Sequence, residues 1–480
     1  MFDRISGSLH LAQYSKEEWL EFTVQHRAST FTAAATLAPT IAVQDLKIYG
    51  SWLLETMSSV VGAAVGQLFP ALQSLKSLHI YEFPAHVPHT LETALSSLTA
   101  LTELILENPH CPLTHRNVNA VVSACSAMPA LRNVELPYYL QESKGAAEVC
   151  DIVGTLQQIE SLNMHGCFRN VESLGSYLGS RVEQDQAFLE LPQVVASCLG
   201  KLSNLRNLQL TESFEGQDLE DVMLAIGGMQ QLTRLSLAGT ECCTKRLTAI
   251  FAGFHAFSIF RRSACGGLKP MLQQLAGLQD LDLSGQVLPS DILETATAIA
   301  SMTKLTALCL SAVEALPEFW TTLAPKLTLN RLVRLDLSKV ESIDATSMSR
   351  LAESMACMQH MEDLHLTGSH VGTAAAAVFK SLRSMPLLQR LGMGHCSISS
   401  RVQIGGTAFS DELSALSTLT NLQTLIVAFN DLGAAPRSPA SIICCFGFLL
   451  DPRPAKLVQE GFHMMQVYLE PRPWPRVSVE

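Results

Sequence analysis

No apolar run in this sequence is long enough to cross a membrane. The longest, Ala440 to Leu450, is about half of what a spanning helix needs. The N-terminal stretch MFDRISGSLH lacks the charged-then-apolar order of a secretory signal peptide. Clusters of Lys and Arg are missing too. The formal net charge of -11 argues against nucleic acid, whose phosphates call for basic patches. There is no CxxC pair, and the 13 cysteines are scattered and odd in number, which is not the pattern of a disulfide framework. Nor does an Asn-x-Ser/Thr sequon occur. Together these absences predict a soluble, cytoplasmic protein in a reducing compartment, with neither membrane nor nucleic acid among its partners.

Catalytic signatures are equally scarce. The sequence holds no Gly-rich phosphate loop, no HExxH and no GxSxG, the short motifs that carry common chemistries. His86 and His89 form an HxxH with His79, His110 and His115 nearby. A metal needs three or four converging ligands, and histidines in a turn explain this group better. His360, His365 and His370 are spread over a strand and its flanks, so they do not face one point. Cys242 and Cys243 are adjacent, an arrangement that makes strained disulfides poorly. The expectation is a non-enzyme without cofactor or metal.

What the sequence does have is a hydrophobic fraction of 48% built from regularly spaced Leu, Ala and Met. Leu278 to Gln286, LQDLDLSGQ, shows the unit: Leu, two residues, Leu, one residue, Leu, then a two-residue step to a small, polar or Cys position. Counted by the first residue of the central Leu-x-Leu, the copies fall at Leu46, Leu78, Leu104, Val134, Leu162, Leu208, Leu235, Leu281, Leu308, Leu335, Leu364, Leu391 and Leu425. Most steps between them are 26 to 30 residues. Such a copy cannot fold alone, and stacked copies make a solenoid.

Between the strands the period changes from 2 to 3.6. Ile292, Ala296 and Ile299 share one helical face, as do Met348, Leu351, Met355 and Met358. Short strands alternating with helices predict an α/β fold, a parallel sheet backed by helices. Its inward Leu side chains stabilise the stack by about 1.5–3 kcal/mol each, and the Met stripe is core packing.

Residues 361 to 398, MEDLHLTGSHVGTAAAAVFKSLRSMPLLQRLGMGHCSI, resemble the ribonuclease-inhibitor-like subfamily of leucine-rich-repeat proteins. That subfamily includes ribonuclease inhibitor, the sensor ends of NOD-like receptors and the Ran-type GTPase-activating proteins. The resemblance covers residues 41–432 and implies a horseshoe of about 13 repeats, with strands on the concave face and helices on the convex one.

The chain departs from the subfamily pattern at the position that usually carries Asn or Cys. Asn stands there only at Asn430 and Cys at Cys167 and Cys396, with Ser, Thr, Gln, Val, Pro, Tyr or Phe elsewhere. Turn backbone groups must then find other partners. Two steps of 46 residues place insertions near 168–200 and 241–263. Val182 to Gly200 reads as helical, whereas ECCTKRLTAIFAGFHAFSIFRR is apolar, aromatic and then basic.

Residues 1–40 read as an N-terminal helical cap. Ser15 and Glu18 form a capping box there, with Trp19 and Phe22 on one face. Residues 433–480 read as a poorly ordered tail, because seven of the 21 prolines lie in the last 45 residues and Pro interrupts helices.

Strand side chains alternate, so the residues before, between and just after the strand Leu positions leave the sheet on the concave side. In the N-terminal half these include Tyr49, Tyr81, Glu82, Glu107, Tyr138 and His165. In the C-terminal half they are Arg234, Asp280, Asp282, Arg334, Asp336, Asp363, His365 and Arg390. A solvated sheet face on which Arg and Asp neutralise one another explains the charged ladder as well as a binding role does. Exposed aromatics favour an interface. The expected function is a non-catalytic module that binds a partner protein on the concave face, with Tyr49, Tyr81 and Tyr138 as anchors. The alternative is a regulatory subunit, either a ubiquitin-ligase substrate receptor or a Ran-type GTPase activator.

Overall fold

The computed structural model describes residues 43–49, 67–81, 89–107, 115–136, 143–165, 191–211, 219–239, 268–286, 288, 292–329, 331–398, 414–426 and 466–467. The helical cap expected over 1–40, the insertion at 241–263 and most of the one at 168–200 lie outside them. The chain divides into two compact units. The first comprises residues 1–257 with 265–275, the second residues 258–264 with 276–480.

In the first unit the strands are β1 (Asp45–Tyr49), β2 (Ser77–Tyr81), β3 (Glu103–Leu106), β4 (Asn133–Glu135), β5 (Ser161–Asn163), β6 (Asn207–Gln209) and β7 (Arg234–Ser236). Each pairs parallel with the next, in chain order. The register joins Leu46 to Leu78, then Leu104, Val134, Leu162, Leu208 and Leu235.

The helices of this unit are α1 (His89–Ser96), α2 (His115–Ser126), α3 (Ser143–Val153), α4 (Leu191–Lys201), α5 (Glu220–Gly227) and α6 (Leu268–Gln274). They form a second layer in which each packs on the next. Helix α4 closes the first long step and packs between α3 and α5.

The second unit repeats the arrangement. Strands β8 (Asp280–Asp282), β9 (Ala307–Cys309), β10 (Arg334–Asp336), β11 (Asp363–His365), β12 (Arg390–Gly392) and β13 (Thr424–Ile426) run parallel in that order. Their register joins Leu281, Leu308, Leu335, Leu364, Leu391 and Leu425. Helices α7 (Ile292–Ser301), α8 (Pro317–Leu323), α9 (Ala345–Met355) and α10 (Ala375–Leu382) stack in sequence. Pro317 fits the first turn of α8, where no N–H is needed. Asp344 caps α9 by accepting the Ser347 N–H at 2.7 Å, and the Ser347 side chain, together with that backbone bond, lowers its pKa.

All thirteen residues used to count the repeats lie in strands and are at most 3% exposed. Met348, Leu351, Met355 and Met358 are buried, as are Ala296 and Ile299. This is the leucine-rich-repeat-like α/β solenoid that the spacing predicts. A further strand, β14 (Gln466–Val467), comes from the Pro-rich tail and pairs with β13, setting Val467 beside Leu425. Met464, Val467 and Leu469 share the Leu-x-x-Leu-x-Leu spacing, a signal that the proline count obscured.

Backbone contacts link the turns that lack Asn. Wherever the residue four positions after a counted Leu is described, it is left-handed: Gly239 in the first unit, and Gly285, Ala312, Lys339, Gly368 and His395 in the second. In the second unit Gly285, Ala312, Lys339 and Gly368 donate their N–H at 2.7 Å to the carbonyls of Ser311, Ser338, Thr367 and Gly394 in the following turns. One residue further on, side chains assist. Buried Ser369 donates to the Leu337 carbonyl and accepts from the Val340 N–H at 3.1 Å. Buried Cys396 donates its thiol to the Leu366 carbonyl at 3.0 Å.

Candidate functional site

One face of the strands carries the buried Leu positions, as the alternating burial of β3, β5 and β8 shows; only at Asp363 on β11 and Gly392 on β12 is the other face also covered among the described strand residues. The opposite face carries the residues before and between the Leu positions, and its richest cluster lies in the second unit. Asp363 on β11 is 4% exposed. Its Oδ2 meets Arg390 Nη2 at 2.7 Å and Arg334 Nε at 3.3 Å, while its Oδ1 meets His365 Nε2 at 2.7 Å. The register explains the convergence: Arg334, Asp363 and Arg390 are direct neighbours on β10, β11 and β12.

Burial alone would raise the Asp363 pKa. The hydrogen bonds from His365 and Arg390 outweigh it and hold the carboxyl at about 2. The same contact raises the His365 pKa against the opposing effect of burial, with Asp336 adding to the rise. Asp363 thus lies on the expected face, yet it is not a side chain offered to solvent. It is the covered centre of an ion-pair group, and a buried carboxylate persists only when paired in this way.

Two further members of the charged ladder have local tasks. Asp336 Oδ1 accepts the Ser338 N–H at 2.9 Å, and Asp282 Oδ1 accepts the Ser284 N–H at 2.9 Å. Each closes the turn that ends its strand, a habit of Asp beside turns. Asp280 is half-buried on β8. Between Asp282 and Asp336 sits Cys309. Its thiol is pushed up to about 12, chiefly by burial.

The first unit has a shallow depression of about 460 Å³ on the same kind of face. Glu103, Glu135, Asn133, Asn163, Asn207, Gln209 and Arg234 are among its lining residues. Asn207 Nδ2 donates to Ser161 Oγ at 3.0 Å, and Ser77 Oγ donates to Glu103 Oε2 at 2.7 Å. Burial raises the Glu135 pKa, opposed by a hydrogen bond with Asn163. Burial lowers the His79 pKa, although Glu107 lies 3.0 Å from its Nε2 and favours the charged form.

The structure therefore brings Arg334, Asp363, His365 and Arg390 into one group, with Asp336 beside them. Arg234 is exposed at the depression, Glu107 pairs with His79, and His165 is exposed with its N–H on Asn163 Oδ1 at 3.1 Å. Tyr49 and Tyr81 are register partners at the ends of β1 and β2. Their side chains, and all of Glu82 and Tyr138, lie outside the described residues. Sequence reasoning missed Gly392, which makes room for His365, and the polar row Asn133, Ser161 and Asn207, which are register neighbours on β4, β5 and β6. The row stands at strand positions the alternation rule already marked. Its uncharged side chains gave no reason to single it out.

Among the described residues no helix is long and apolar enough to cross a membrane, and no three His, Cys, Asp or Glu side chains gather as metal ligands would. No protein-family model matches the chain, and no curated protein matches it either.

Proposed function

We propose that this chain is a non-catalytic, cytoplasmic binding module of the ribonuclease-inhibitor-like kind, taking a partner protein on the strand face opposite its helices. The observation that carries the reading is the pair of arginines about Asp363. Their heads are positioned by a buried carboxylate, yet Arg334 and Arg390 remain 53% and 51% exposed. Restrained, half-exposed Arg is a common element of protein interfaces, because little side-chain freedom is left to lose on binding. The polar depression of the first unit supports the same use of that face.

The test is affinity capture from native lysate with the full chain as bait, beside Arg334→Ala/Arg390→Ala and a helix-face control, Glu353→Ala/Arg383→Ala. A partner retained by parent and control but lost by an arginine variant whose circular dichroism and thermal midpoint match the parent's supports the reading. Identical partners on all three baits would sink it.

A further inference from the structure

The arginine group of the second unit has unused binding capacity. Arg334 spends Nε on Asp363 Oδ2, and Arg390 spends Nη2 on the same oxygen. A guanidinium has five N–H donors in a planar fork. Both Nη groups of Arg334, with Nε and Nη1 of Arg390, make no hydrogen bond or ion pair among the described residues. The two forks stand on strands separated only by β11. Both arginines reach the same oxygen of Asp363, so their heads are neighbours, and His365 lies 2.7 Å from the other oxygen of that carboxylate. Two guanidiniums arranged in this way match the two oxygens of a carboxylate.

The surroundings set the charge of the ligand. Asp336 follows Arg334 by two residues on β10, and the charge of Glu362 acts on Arg390. Asp363 itself already neutralises one guanidinium. A polyanion would meet these carboxylates as well as the arginines, whereas a single negative charge can sit between the forks. We propose that Arg334 and Arg390 seat one carboxylate from an acidic side chain of the partner protein. This rests on the reading that the face binds a protein, but its test needs no partner.

The probe is sodium acetate, titrated at constant ionic strength against sodium chloride into the full chain labelled with 15N-arginine. The readout is the Nε–Hε resonances, assigned with Arg334→Lys and, independently, Arg390→Lys. The expected result is a saturating shift of both resonances with acetate and none with chloride, and a weaker acetate response of the remaining arginine in either Lys variant. Asp336→Asn should tighten acetate by about twofold, the size expected when one nearby charge is removed in a solvent-exposed setting. Such a gain would not arise if the arginines were purely structural.

Equal shifts with both salts, or none, would overturn the seat while leaving protein binding elsewhere on the face intact. A stronger response to inorganic phosphate than to acetate would overturn the carboxylate assignment in favour of a phosphoryl group. If Arg390→Lys does not fold, Arg334→Lys alone still decides the outcome.

Discussion

The His365 imidazole lies in the space that Gly392 leaves empty. A Cβ built on Gly392 would fall 2.7 Å from His365 Nδ1 and 3.0 Å from Thr367 Oγ1. The two residues are register partners on β11 and β12, so the glycine is what lets the ring lie flat enough to reach Asp363. Gly392→Ala should push the ring off Asp363 and destabilise the protein by about 1–2 kcal/mol. Urea unfolding measures the loss. In the same variant, NMR titration should show the His365 pKa falling back towards its ordinary value, and an unchanged titration would contradict the arrangement.

The Asp363–His365 pair also sets a pH window. Asp363 is held near 2, below its ordinary 3.8, so its stabilisation is complete above 3.8 and lost as pH falls through about 2. The amount is roughly 2 kcal/mol. His365 is raised above its ordinary 6.5, so its contribution is complete below 6.5 and lost as pH rises through the raised value. Between about pH 4 and 6.5 both are present. Subtracting the unfolding free energies of Asp363→Asn from those of the parent across pH should give a plateau there, with a fall on each side.

The left-handed turn positions predict opposite effects at equivalent sites. Ala312 has φ 53° and Lys339 φ 56°, a region that disfavours side chains. Ala312→Gly should stabilise by about 0.5–1 kcal/mol, the strain relieved exceeding the added freedom of the unfolded chain. Gly368 has φ 78°, and a Cβ there would meet Lys339 Cγ at 3.2 Å. Gly368→Ala should destabilise by about 1–2 kcal/mol. Denaturant midpoints with unchanged slopes check both.

Ser369 takes on part of the task that an Asn at its position would perform. Ser369→Ala leaves the Leu337 carbonyl and the Val340 N–H without their side-chain partner in a buried turn, which should cost about 1–3 kcal/mol. Hydrogen exchange locates the effect: the Val340 amide should lose protection first. A uniform loss across the second unit would mean that Ser369 matters only through packing.

Much of the fold was legible because its information is local. The three Leu of LVRLDL, Leu332, Leu335 and Leu337, declare a strand with one buried face wherever they sit, and each is at most 1% exposed. The strand in the tail was harder to see, since Val467 lacks a Leu neighbourhood and lies among prolines. The site was legible as a face but not as a group. Alternation placed Arg334, Asp363, His365 and Arg390 on the open side. It could not show that Asp363 is covered, because that depends on side chains from two other strands.

By itself the sequence determined the repeat, the strand positions and which side of each strand carries the Leu, since strand side chains alternate between the two faces. The tertiary structure decided which charges meet. Arg334 and Arg390 are 29 and 27 residues from Asp363 in the chain, and only the strand register makes them neighbours. It also decided the turn chemistry. Backbone N–H groups of left-handed residues bridge successive turns because the stacking distance between repeats places a carbonyl within their reach.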